Sequence, residues 1–126
     1  MRIEIAGREA FVSNGGHAHV AGQPWVVLIH GAGLNHAVWA SQSRWLAFRR
    51  RNVLSVDLPG HGHSAGPTLP DMGAMADWVV ALLDAIGKPV IMLTHSQGGG
   101  FGFDVTEARP NLVAGMVSIE PGGPQI

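Results

Sequence analysis

Cysteine is absent from the 126-residue chain, which excludes disulfides and thiolate nucleophiles. Charge is scarce: charged residues make up 13% against 46% hydrophobic, a balance that excludes a disordered chain. The formal net charge of −1, taken as a total, makes no electrostatic case for nucleic acid or an anionic membrane surface. No apolar run approaches the length that spans a bilayer, and Met1-Arg2-Ile3-Glu4-Ile5 lacks an apolar signal core. Repeats, low-complexity tracts and linkers are missing as well. These absences leave one domain, residues 1–126, expected to be soluble and cytoplasmic.

What is present is an alternation of short apolar runs with helical patterns. Arg2 to Val12 reads as a strand hairpin around Ala6-Gly7-Arg8, and Ser13-Asn14-Gly15-Gly16 is a second turn. Trp25-Val26-Val27-Leu28-Ile29 is uninterrupted and β-branched, as expected of a strand buried on both faces. A helix is expected over Val38 to Arg50, then a strand from Asn52 to Asp57. The clearest helix follows: Met75, Val79, Leu82, Leu83 and Ile86 recur at helical spacing, Asp71 can cap the start, and Gly87 can end it. Pro89 to Leu93 is the next strand. A helix then runs to about Arg109, and a last strand covers Leu112 to Ile119. Such alternation implies right-handed βαβ units and a mostly parallel sheet of about six strands covered on both faces.

Ligands bind at the C-terminal ends of strands in such sheets. Four segments there end in small or polar residues: His30-Gly31-Ala32-Gly33, Asp57 to Ser64, Thr94-His95-Ser96-Gln97-Gly98, and Glu120-Pro121-Gly122-Gly123. Ser96 stands between an apolar run and the glycines at 98, 99 and 100. A strand turning sharply into a helix exposes the turning side chain and aims free N–H groups at whatever binds there.

These pieces together resemble the α/β-hydrolase superfamily. The resemblance rests on His30-Gly31 followed by Trp39, on Asp57-x-Pro-Gly-His-Gly-x-Ser64, and on the nucleophile elbow at Ser96, in that order. It implies a three-layer α/β core with Ser96 as the nucleophile of a carboxylic-ester hydrolase. It further implies the N–H groups of Gln97 and Ala32 as oxyanion donors, Gly33 being the weaker choice for the second. Thr94 stands where the usual pattern has glycine, so a β-branched residue must fit a crowded turn. The pairing of a Thr-His-Ser-Gln elbow with Ile119-Glu120-Pro121-Gly122 resembles bacterial esterases with a glutamate after the sixth strand, which implies Glu120 as the acid. The family's last two strands, their helices and its catalytic histidine have no counterpart in these 126 residues, so the base is unfilled. Short acyl esters are the expected substrates, since no cap segment is present to enclose long ones.

Other residues have plainer readings. His30 and His61 are expected to orient backbone, and His95 to point away from the site. His36 and His63 lie on the functional edge as possible substitute bases. His17-x-His19 and His61-x-His63 lack the acidic or cysteine neighbours of a metal site, so neither metal nor cofactor is expected. His36 breaks the dinucleotide fingerprint begun by Gly31-x-Gly33, and the triple glycine lacks a phosphate-loop lysine. Trp25, Trp39, Trp45 and Trp78 are read as core and helix-packing residues. Asp57 is read as structural.

A sheet ending at Leu112 to Ile119 presents an apolar edge, which predicts a homo-oligomer. Partners other than a small ester are not expected, neither nucleic acid nor membrane. The alternative to an enzyme is an idle hydrolase fragment, or an engineered minimal scaffold, that self-assembles through that edge.

Overall fold

The computed structural model describes residues 1–31, 33–95 and 98–119. Six strands form one sheet. β1 (Arg2–Ile5) and β2 (Arg8–Ser13) are an antiparallel hairpin. Ala6 and Gly7 between them both have positive φ, 51° and 77°, the type I′ geometry whose twist matches the strands it joins. β3 (Trp25–Ile29), β4 (Asn52–Val56), β5 (Val90–His95) and β6 (Val113–Ile119) run parallel, and the order across the sheet is β1-β2-β4-β3-β5-β6.

That order contains a reversal. The chain steps from β3 to β4 in one direction, then returns past β3 to β5 in the other. Right-handed crossovers in opposite directions put their helices on opposite faces of the sheet. α1 (Ala40–Phe48) accordingly packs on one face, where Val26, Leu28 and Val53 meet Trp39 and Ala47. α2 (Met72–Ile86) and α3 (Gly98–Ala108) cover the other, where Val27, Ile29, Leu54, Val56 and Met92 meet Trp78, Val79, Leu82, Leu83, Phe101 and Val105. The expected three-layer, mostly parallel core is therefore present.

Local chemistry explains the helix ends. Asp71 accepts a hydrogen bond from Ala74 N–H at 2.8 Å and caps α2, and Gly87 closes it in the left-handed region with its N–H on the Leu83 carbonyl. The helix expected over Val38 to Arg50 divides instead. A 3-10 turn spans His36–Trp39, capped by the Asn35 side chain on Ala37 N–H, and the α-helix proper begins at Ala40.

Of the four tryptophans read as core, Trp39 and Trp78 are buried and Trp25 is half-buried. Trp45 is a correction: it is 57% exposed, because no element among the described residues covers the outer side of α1. Gly102 carries a packing role the sequence reading did not assign. A Cβ there would lie 2.9 Å from Met116 Sδ and 3.4 Å from Thr94 Cγ2, so its missing side chain lets α3 sit close against β5 and β6. None of the helices described is long and apolar enough to cross a membrane.

Candidate active site at the reversal point of the sheet

Register makes the strand ends level. Ile29 of β3 lies beside Val56 of β4 and Thr94 of β5, and Thr94 lies beside Ser118 of β6. The segments after these four residues therefore leave one edge of the sheet together. β3 and β5 are neighbours at the point where the strand order reverses, the place where such sheets open a crevice. Ser96, Gln97, Ala32 and Glu120, the expected nucleophile, oxyanion donors and acid, lie outside the described residues. What is described are the strands that lead up to them and the loops beside them.

The loop after β3 is held by His30, whose side chain is fully buried. Leu58 N–H donates to its Nε2 at 3.0 Å, so the ring proton sits on Nδ1, which donates to the Gly31 carbonyl at 2.7 Å. Burial pushes His30 below the usual histidine pKa, with the hydrogen bond to Gly31 opposing and the neighbouring His61 adding to the fall. A neutral ring with both nitrogens engaged is a fixed spacer between two loops. Leu34 N–H also donates to the Gly31 carbonyl, at 3.2 Å. His30 therefore orients backbone, as expected, and so does His61, whose Nδ1 donates to the Pro59 carbonyl at 3.1 Å.

Asp57 organises the loop after β4. Its carboxylate is fully buried and accepts from His36 N–H at 2.7 Å, His36 Nδ1 at 2.8 Å and His63 N–H at 2.9 Å. Burial raises its pKa, but the His63 N–H, the His36 N–H and the His36 ring together outweigh that and leave it below the ordinary carboxylate value. Gly62 approaches this carboxylate so closely, at φ 52°, that a Cβ would lie 2.3 Å from Oδ2. Only glycine fits there. Ser64 donates to the Asp57 carbonyl and accepts from Phe11 N–H, which ties the loop to β2. The structural reading of Asp57 stands on this network.

His36 and His63 come together, with ring centroids 6.0 Å apart and both rings against Phe11 of β2 at 4.9 and 5.1 Å. In the strand order, β2 is three positions from β5, about 14 Å at roughly 4.8 Å per strand. Their described contacts are thus with β2 and Asp57, while Ser96, which a substitute base would have to reach, lies outside the described residues. Sequence reading missed the Asp57–His36 pair, because its partners are 21 residues apart and no local pattern joins them. His95 packs edge-on to Trp39 at 6.3 Å on the α1 face. His19 bonds the Val53 carbonyl through Nε2 and packs at a tilt against Trp25. Among the described residues, no group of three histidine, aspartate or glutamate side chains is placed to hold a metal ion.

Thr94 fits its crowded position: it is fully buried, its Oγ1 is 2.9 Å from Ser118 Oγ, and its methyl faces Gly102. The missing side chain at Gly102 makes room chiefly for Met116, with the Thr94 methyl at ordinary contact distance beside it.

Comparison with known proteins extends these findings. A family model described as the alpha/beta hydrolase fold matches residues 24–125. The pimeloyl-(acyl-carrier protein) methyl ester esterase of Methylococcus capsulatus is 33% identical over 114 residues, covering 80% of this chain and 41% of that protein. The (E)-2-((N-methylformamido)methylene)succinate hydrolase of Acinetobacter baylyi is 34% identical over 100 residues, covering 75% and 36%. The chain thus spans less than half the length of these curated relatives. Among solved structures, a bacterial membrane phospholipase A superposes with a TM-score of 0.87 at 27% identity, over 99% of this chain and 40% of that one.

Proposed function

Because the chain belongs to the alpha/beta hydrolase fold family, over residues 24–125, we propose that it hydrolyses small carboxylic esters through an acyl-enzyme on Ser96. Ser96 Oγ attacks the ester carbonyl carbon, the alcohol leaves with a proton, and water then releases the acid and restores the hydroxyl. The N–H groups of Gln97 and Ala32 receive the negative charge that develops on the carbonyl oxygen, with Glu120 as the acid of the constellation.

The observation that carries the reading is the level register of β3 and β5 at the reversal point, with His30 fixing the Gly31 carbonyl just before residue 32. A trans peptide points its C=O and N–H in opposite directions. Holding that carbonyl is therefore the kind of constraint an oxyanion donor at the next residue needs. The esterase and hydrolase relatives support hydrolysis in general; the ester substrate and the Ser96 chemistry belong to this proposal. No histidine is assigned as base. Oxyanion stabilisation and binding alone sustain a rate about a thousandfold over water.

A fluorophosphonate probe tests the reading. Labelling of Ser96, together with p-nitrophenyl acetate turnover that disappears in Ser96→Ala, is the expected result. Turnover unchanged in Ser96→Ala, with no labelled serine, overturns it.

A second reading has one observation in its favour. Val117 and Ile119 of β6 are 51% and 42% exposed, and no strand pairs with the outer side of β6 among the described residues. Under that reading the chain is an assembly unit that self-associates through β6, with an idle elbow. Light scattering at micromolar concentration separates the two, because a monomer that turns over ester excludes it.

A further inference from the structure

A pocket of about 330 Å³ opens at the strand-end edge of the sheet, on the α2–α3 face. Leu58, which follows β4, and Phe101, at the opening of α3, are buried and form its floor. Leu69, Met72 and Met75 form its sides, and His61, Thr68 and Asp71 complete the rim. All of these residues lie between 58 and 101, so the pocket is shaped without β6 or the outer side of α1. Phe101 stands five residues after Ser96 in the chain, which puts the pocket beside the helix that the elbow starts.

The loop that carries one wall is held in place. Gly60 N–H donates to the Ala65 carbonyl at 2.9 Å, Ala65 N–H donates to the Glu9 carbonyl at 3.0 Å, and the Arg8 guanidinium donates to the Pro67 carbonyl. Gly60, at φ 75°, lies so close to Thr68 that a Cβ would sit 2.6 Å from the Thr68 nitrogen. Met72 and Met75, three residues apart at the start of α2, share one side of the helix. A pocket formed in advance loses little to ordering when a ligand enters.

The lining selects a neutral, apolar occupant. Five of the eight lining residues are apolar, and none of the eight is lysine or arginine. A helix start attracts anions, but here the Asp71 carboxylate already caps α2 on Ala74 N–H at 2.8 Å. A free carboxylate on the occupant would therefore meet a negative charge and no cation. Methionine side chains are polarizable and adapt to a flexible chain. We propose that this pocket receives the alkyl chain of the ester, a chain with an uncharged end and longer than the short acyl group expected from the sequence. At about 30 Å³ per water-sized group, the volume suits roughly six to eight carbons. That the chain belongs to an ester rests on the Ser96 reading; its affinity for the pocket does not.

Methionine-methyl NMR with neutral ketones tests this without turnover. Titration with 2-nonanone should shift the Met72 and Met75 methyl signals, assigned through Met72→Leu and Met75→Leu. The signal of Met92, fully buried in the core, should stay in place. 2-Pentanone, four methylenes shorter, should bind at least about fiftyfold more weakly, since each buried methylene is worth about fourfold. 8-Oxononanoate, the nonanone chain ending in a carboxylate, should bind at least about tenfold more weakly than 2-nonanone. Leu69→Trp and Met72→Trp fill the pocket from two sides, and each should weaken 2-nonanone at least about tenfold, with folding checked by circular dichroism. Absence of Met72 and Met75 shifts overturns the proposal, as does equal affinity for the two ketones or for 8-oxononanoate. Unaltered affinity in both tryptophan variants overturns it too. Fluorophosphonate labelling of Ser96 separates the two readings. Labelling without the methionine shifts removes the pocket and keeps the hydrolase. Shifts that Leu69→Trp abolishes, without labelling, keep the pocket and remove the ester.

Discussion

The two faces of the sheet are held by different physics. Among the described residues, eighteen buried ones make one cluster on the α2–α3 side that includes Val79, Leu82, Leu83, Met92 and Val105, whereas the α1 side has a cluster of five. The larger cluster is closed mainly by burial, with polar contacts at its rim, the Asp71 cap and the Asp84–Arg109 pair. The smaller one leaves Trp45 and Phe48 in solvent and fixes the start of its helix with polar staples, the Asn35 cap and the buried Asp57 on His36. Among the described residues, one face is largely closed and the other leaves Trp45 and Phe48 exposed.

The contrast breaks most visibly at Asp57. Asp57→Ala removes a fully buried carboxylate and leaves the His36 N–H, the His36 ring and the His63 N–H without their acceptor, and should cost about 3–5 kcal/mol in urea denaturation. Leu83→Ala, in the larger cluster, should cost about 2–5 kcal/mol by the same measurement. Both faces would be equally robust if neither substitution shifted the urea midpoint.

Acid should act in two stages, and both signs follow from proton linkage. The folded chain holds His30 below its ordinary value of 6.5, so the unfolded chain binds more protons near that pH. Stability from His30 is complete above about 6.5 and is lost as pH falls below it. Asp57 is held below its ordinary 3.8, so its contribution is present above that value and is lost as pH falls through the lower folded value. Unfolding midpoints measured from pH 8 to pH 3 should decline in that order, and His30→Asn should flatten the first decline. The smallest effect belongs to the open face: Trp45→Ala should change stability by less than about 0.5 kcal/mol. A loss above about 2 kcal/mol would mean that Trp45 is packed rather than presented.

Much of this architecture is legible along the chain. The hairpin, the four parallel strands and the caps of α2 at Asp71 and Gly87 follow from local patterns whose physics spans only a few residues. The level strand ends follow too, once alternation implies a parallel sheet. The Asp57–His36 pair, the 3-10 start at His36 and the room that Gly102 makes for Met116 are not legible. Each depends on residues brought together across the sheet. The site was legible only in its motifs: Ser96, Gln97, Ala32 and Glu120 come from the resemblance, while the described geometry concerns the loops that His30 and Asp57 hold.

The sequence by itself determined the order of elements, their capping and a total charge near zero, because propensity, periodicity and composition are properties of neighbours in the chain. The tertiary structure alone decided where that charge and the tryptophans went. A reversal in strand order sends α1 to one face and α2 and α3 to the other, which separates Arg44, Arg49, Arg50 and Arg51 from Asp77, Asp84, Asp104 and Glu107. The same reversal buries Trp39 against the sheet and leaves Trp45, six residues later on the same side of the sheet, facing water.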